Sequence, residues 1–137
     1  MTVRSFEEVE LGDDLPNETA DVSMAQVKKF CKAAKHEFER FIDHEHARKE
    51  GFAGAIVPGI MSQGILTAMI HRWAPGATIT KIDTVFRGTL LVDSEVTVSG
   101  AVTDTDDDSR VVEIDLTVVG EDGRTGVIGT ALVAFPA

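Results

Sequence analysis

Through the C-terminal half of the chain, apolar and polar residues alternate with a period of two. Between Arg110 and Val119, the apolar Val112, Ile114, Leu116 and Val118 are separated by Glu113, Asp115 and Thr117, the pattern of a strand with one face buried. Thr78 to Phe86, Glu95 to Asp104 and Thr125 to Phe135 are also rich in β-branched residues. Turn signals such as Asp93-Ser94 and Glu121-Asp122-Gly123 bound these segments. All four predict strands, and strands this close in sequence are most simply antiparallel neighbours. Asp104 to Asp108 predicts a polar hairpin loop, because it lacks the glycine and the distal glutamate of an EF-hand calcium loop.

Upstream the period changes. The run GIMSQGILTAMIHRW from Gly59 puts apolar groups on nearly every face and predicts a helix buried on most sides. Val57 and Pro58 precede it, and proline suits an extended residue before it and a rigid first turn after it. A helix N-terminus carries unpaired N–H groups and the positive end of the dipole. The amides around Gly59 and Ile60 are therefore candidates to hold a polarised carbonyl oxygen. Ahead of this helix, Asp43 is placed to cap a short polar helix that ends at a Gly51-Phe52 turn. Further upstream a strand is expected near Asn17 to Val22 and a helix from Met24 to about Ala34, with Ser23 and Gln26 at capping-box spacing. Cys31 falls with Val27 and Phe30 on the apolar side of that helix, as a small buried hydrophobe. The sum is an antiparallel sheet against one buried helix, an α+β layout.

A chain of 137 residues has room for one core, so a single domain over 1–137 is expected. No apolar run reaches the length needed to cross a bilayer, and the opening MTVRSFEEVELGDD has no signal-peptide core. A cytoplasmic protein is expected. A formal charge of −10 disfavours nucleic acid and anionic membrane surfaces as partners. The one cysteine cannot form an internal disulfide. His44 and His46 stand two apart on the short helix and point to different faces, so no metal pair is expected there. There is no phosphate-cradling glycine loop and no nucleophile elbow, and no cofactor is expected.

Asp43, Ala47, Gly51, Phe52, Ile56 and Gly59 form the pattern D-x-x-x-A-x-x-x-G-F followed by I-x-x-G, with the apolar helix after it. This pattern resembles the MaoC-like dehydratases, which include the (R)-specific enoyl-CoA hydratases. The opening FEEVELGDDLP and the segment VFRGTLLVDSEVTVSGAV also look like their counterparts in that family. The resemblance implies a hot-dog fold, in which an antiparallel sheet wraps a long central helix. It also implies a homodimer, or a heteromer with another MaoC-like chain, whose sheets join edge to edge. The ligand it implies is an acyl thioester of coenzyme A or acyl-carrier protein, with water added or removed at a 2-enoyl group. In that chemistry an aspartate and a histidine handle the proton, and a helix-end amide, here at Gly59, polarises the carbonyl.

The proton-handling positions differ from the family's order D-x-N-P-x-H-x-D. His36 stands in place of the aspartate, Phe38 and Glu39 in place of Asn-Pro, and Phe41 in place of the histidine. Pro58 stands where the family usually has a histidine. Three readings follow. The first is a lyase with a rebuilt site, in which His36 is the base and Glu37, Glu39 or Asp43 orients it. The second is a silent acyl-binding subunit of a heteromeric hydratase. The third is a thioesterase that uses a carboxylate base. In each, Phe38, Phe41, Phe52, Val57, Ile60 and Met61 are the candidate acyl-binding residues.

Overall fold

The computed structural model describes residues 2–137. Its strands are β1 (Glu18–Ala20), β2 (Thr78–Phe86), β3 (Val96–Asp106), β4 (Val111–Val119) and β5 (Thr125–Ala134). They form a five-stranded sheet in the order β1-β3-β4-β5-β2, and every pairing is antiparallel. The β3–β4 and β4–β5 hairpins are those expected from the alternation. β2 departs from that expectation, because it pairs with β5 and not with β3. The chain from Arg87 to Glu95 crosses over instead of turning back. Its backbone finds another partner in the segment ahead of the central helix: Val57 N–H donates to Leu90 O at 2.8 Å, and Val92 N–H donates to Ala55 O at 2.9 Å.

The central helix is α4 (Gly59–Trp73). Leu66, Met69, Ile70 and Trp73 on it are buried in one cluster with Val98, Val112, Ile114, Leu116 and Val133 of the sheet. Each large side chain removed from water in this way contributes about 1.5–3 kcal/mol. The helix is less enclosed than its sequence suggests, since Ile60 is 55 % exposed and Gly64, His71 and Arg72 also face outward. The sheet covers only one side of a helix, and a second layer must cover the other. Part of that layer is α1 (Met24–Ala33). Ser23 Oγ accepts from Gln26 N–H at 3.3 Å as the capping-box spacing requires. Ser23 N–H, the other half of the box, is taken by Asp21 at 3.0 Å. Cys31 on α1 is fully buried, and burial, followed by the nearby charge of Glu37, raises its thiol pKa.

Two short helices follow, α2 (Glu39–Ile42) and α3 (His44–Lys49). Asp43 caps α3 by accepting from His46 N–H at 3.2 Å. Gly51, at φ 104°, ends it in the left-handed conformation, and Phe52 N–H closes back onto Ala47 O at 3.0 Å. Among the described residues no helix is long and apolar enough to cross a membrane.

Arg110 joins the two ends of the chain. Its guanidinium donates to both carboxylate oxygens of Glu7, at 2.7 and 3.2 Å, and to Pro136 O at 3.0 Å. It also lies 5.5 Å from the Phe6 ring centroid. The hydrogen bond from Arg110 is the main cause that lowers the Glu7 pKa from 4.5 to about 2. Because the folded-state value lies below the unfolded one, the pair stabilises the fold above pH 4.5 and loses that contribution as pH falls toward 2. In Arg110→Gln, Glu7 is expected to titrate higher than in the parent protein, toward 4.5, which a carboxyl-carbon NMR titration reads directly. An unchanged titration in the variant would show that Arg110 is not the cause.

Candidate functional site

The site is built around the start of α4. Pro58 occupies the N-cap position and offers no side-chain acceptor. Met61 N–H and Ser62 N–H donate back to Pro58 O, at 3.0 and 3.2 Å. The amides of Gly59 and Ile60 have no hydrogen-bond partner among the described residues. A helix start left uncapped in this way keeps its donors and its positive dipole end free for a ligand.

The segment entering this helix is fastened by backbone groups at Ala53, Ala55, Ile56 and Val57. Ile56 N–H donates to Arg40 O of α2 at 3.0 Å, Ala55 and Val57 pair with the crossing chain, and Arg48 Nε of α3 donates to Ala53 O at 3.2 Å. The fourth attachment is an imidazole. Ala55 N–H donates to His44 Nδ1 at 2.9 Å, so the proton of the ring resides on Nε2, which lies 2.8 Å from Asp93 Oδ2. The other oxygen of Asp93 accepts from Met24 N–H at 2.8 Å, at the start of α1. The hydrogen bond from His44, followed by that from Met24, lowers the Asp93 pKa. Asp93 sits in the left-handed region at φ 65°, which costs a non-glycine residue conformational energy and marks a position set by its surroundings. The pair has the look of a catalytic dyad. It cannot serve as a base in this state, because the only ring nitrogen with a lone pair already accepts from Ala55.

Beside Gly59 lies a cavity of about 300 Å³. Phe41, Ile56, Val57, Phe86, Leu90 and Val127 form its apolar wall, and Gly59, Ser62, Gly88 and Thr89 complete it. None of these side chains titrates. The Phe86 ring lies across Gly59 so closely that a Cβ there would sit 2.8 Å from it, so a larger residue would oblige that exposed ring to shift. Two larger depressions, of about 540 and 400 Å³, lie along the outward rows of the sheet around Asp115 and Thr117, and no helix end contributes to either. A groove of about 330 Å³ runs between α1 and α4 past Phe30, Met61 and Ile65.

The residues singled out from sequence divide between these places. Gly59, Val57 and Phe41 line the helix-end cavity. Met61 lines the α1–α4 groove. Ile60 faces outward, and Phe52 is half-buried against the core. His36 is half-buried and lies outside the cavity lining. Its ring stacks on Phe41 with centroids 5.4 Å apart and planes at 17°, and meets the exposed Phe38 edge-on at 4.9 Å. Asp43 is engaged as the cap of α3. Glu39 lies 2.7 Å from His46 Nδ1, and Glu50 lies 3.1 Å from Nε2 of the same ring. Sequence reasoning passed over Ser62, Phe86 and the His44–Asp93 pair. Ser62, a hydroxyl in an apolar helix, was the one of these with a visible signal.

No protein-family model and no curated protein sequence matches the chain. Solved structures do. An (R)-hydratase from A. caviae involved in PHA biosynthesis aligns with a TM-score of 0.90 at 20 % identity, over 95 % of this chain and 99 % of that one. The R-hydratase PhaJ1 from Pseudomonas aeruginosa, unliganded, aligns at 0.88 and 19 % identity, over 96 % and 85 %. The ChsH1–ChsH2 complex from Mycobacterium tuberculosis aligns at 0.84 and 19 %, over 93 % and 99 %. The chain has the hot-dog fold of these proteins, with α4 as the central helix.

His44→Ala removes the acceptor of Ala55 N–H. Ala55 amide hydrogen exchange is expected to speed up about fivefold, the equivalent of the ~1 kcal/mol of a typical hydrogen bond. The Asp93 carboxyl is expected to titrate higher than in the parent protein. Exchange and titration that match the parent would show that the imidazole is not what holds the segment.

Proposed function

We propose that the chain is an acyl-thioester-binding member of the MaoC-like hydratase/dehydratase family. In this reading it supplies the carbonyl-binding helix end and the apolar pocket, and a partner chain supplies the proton-transfer groups. The observation that carries the reading is the composition of the cavity: Gly59, whose amide is free, lines it together with an apolar wall that holds neither an acid nor a base. Adding water to a 2-enoyl thioester requires one group to take a proton from water and one to deliver a proton to carbon. The lining offers neither. Phe41, which stands in the family's histidine position, adds apolar surface to the pocket, and His36 stacks behind it.

The surface around the site supports a partner. β2 is a free edge of the sheet, and Val85 and Phe86 on it are 50 % and 56 % exposed, as is Ile60 at the start of α4. Unpaired strand edges with apolar side chains favour pairing with another chain. One of the similar structures is the ChsH1–ChsH2 complex. A thioesterase reading draws less support, because no carboxylate lines the cavity.

The test uses the purified chain and crotonyl-CoA. Saturable binding without hydration is expected from the chain alone, with hydration on mixing with a MaoC-like chain that carries the aspartate and histidine. Gly59→Ala, whose Cβ would meet the Phe86 ring at 2.8 Å, is expected to weaken binding at least about tenfold. Hydration by the chain alone that His36→Ala abolishes would replace this reading with a self-sufficient lyase. Release of free thiol from a saturated acyl-CoA would replace it with a thioesterase.

A further inference from the structure

Among the described residues, Ser62 is the one polar side chain in the fully buried set, at 2 % exposure. Its hydroxyl has no hydrogen-bond partner among the described residues. The neighbouring hydroxyl on the same helix behaves differently: Thr67 Oγ1 donates to Gln63 O, four residues back, at 2.9 Å. Ser62 has the equivalent acceptor in Pro58 O and leaves it to the backbone, whose Ser62 N–H donates there at 3.2 Å. No side-chain polar atom among the described residues is both sealed from solvent and unpaired. The Ser62 hydroxyl therefore keeps an opening, and the space that Ser62 lines is the cavity beside Gly59.

Position within the helix adds direction. Ser62 is the fourth residue of α4, and Cα–Cβ bonds in a helix tilt toward its N-terminus. The hydroxyl thus leans toward the end that carries the free Gly59 and Ile60 amides. Open on the cavity and bonded to none of the described residues, the hydroxyl is free to donate to an acceptor that occupies that space.

We propose that Ser62 is a further ligand-binding residue, whose hydroxyl donates to the thioester carbonyl oxygen alongside the helix-end amide. This rests on the reading of the chain as a thioester-binding subunit. A carbonyl oxygen has two lone pairs and can accept from both donors, while the thioester sulfur is a weak acceptor. The hydroxyl acts as a donor and not as a nucleophile, because no base lines the cavity to take its proton.

Binding of [1-¹³C]crotonyl-CoA, followed by affinity and by the ¹³C shift of the bound carbonyl, tests the assignment. Hydrogen bonds to a carbonyl move its carbon downfield, a signature that loss of packing alone does not reproduce. In the parent protein the bound carbonyl is expected downfield of the free one. Ser62→Ala is expected to lose a clear part of that displacement and to bind about five- to tenfold more weakly. Ser62→Cys keeps the volume with a weak donor and is expected to behave like Ser62→Ala, which serves the test should the alanine variant fold poorly. Parent-like affinity and carbonyl shift in both variants would overturn the role of Ser62 and leave the thioester reading intact. Failure of the parent protein to bind any acyl thioester would remove both.

Discussion

The structure depends on holding one helix start uncapped within the fold. Most helices satisfy their first amides with a serine, threonine, aspartate or asparagine. Here Pro58 precedes α4 and supplies no such group. The free amides must be kept in place by other means, and the chain does so through the segment from Ala53 to Val57. Its polar groups are bonded to α2, to α3 and to the chain that crosses from β2 to β3. These bonds fix the short stretch that leads into the two free N–H groups.

The His44–Asp93 pair shows how such fastening connects distant elements. One imidazole joins the backbone before α4 to a carboxylate that also anchors the start of α1. Asp93 adopts a left-handed backbone to do it. A histidine and an aspartate within hydrogen-bond distance invite a catalytic reading, and the geometry argues against one. A base needs a free lone pair, and the ring has committed its own to Ala55.

Aromatic packing occupies the region behind Phe41, on one side of the helix-end cavity. His36, Phe38 and Phe41 stack and meet edge-on, an arrangement stabilised by ring quadrupoles and by burial. Of the three rings only Phe41 reaches the cavity, where it adds to the apolar wall. A carbonyl held there would meet donors in a low-dielectric setting, where they act more strongly than in water. Ser62 and Thr89 bring hydroxyls to the same lining, and Ser62 lies on the helix that carries the free amides.

Local periodicity determined most of the architecture. The alternation around Ile114, the apolar run after Gly59, the cap at Asp43 and the left-handed turn at Gly51 each depend on residues close together in the chain, and each is present in the fold. The place of β2 at the sheet edge did not follow from local pattern, because a crossover is decided by which distant backbone offers hydrogen bonds. Nor did the partnership of His44 with Asp93, which are 49 residues apart, or the Phe86 ring over Gly59. Ser62 lies between the two cases. Its hydroxyl is visible in the sequence, and whether it turns back to the helix, as Thr67 does, or stays open to a cavity is set by packing. By itself the sequence determined which helix end would carry free amides, since proline cannot cap it. Only the tertiary structure decided what surrounds that end, because those neighbours arrive from remote parts of the chain and are selected by how the whole core closes.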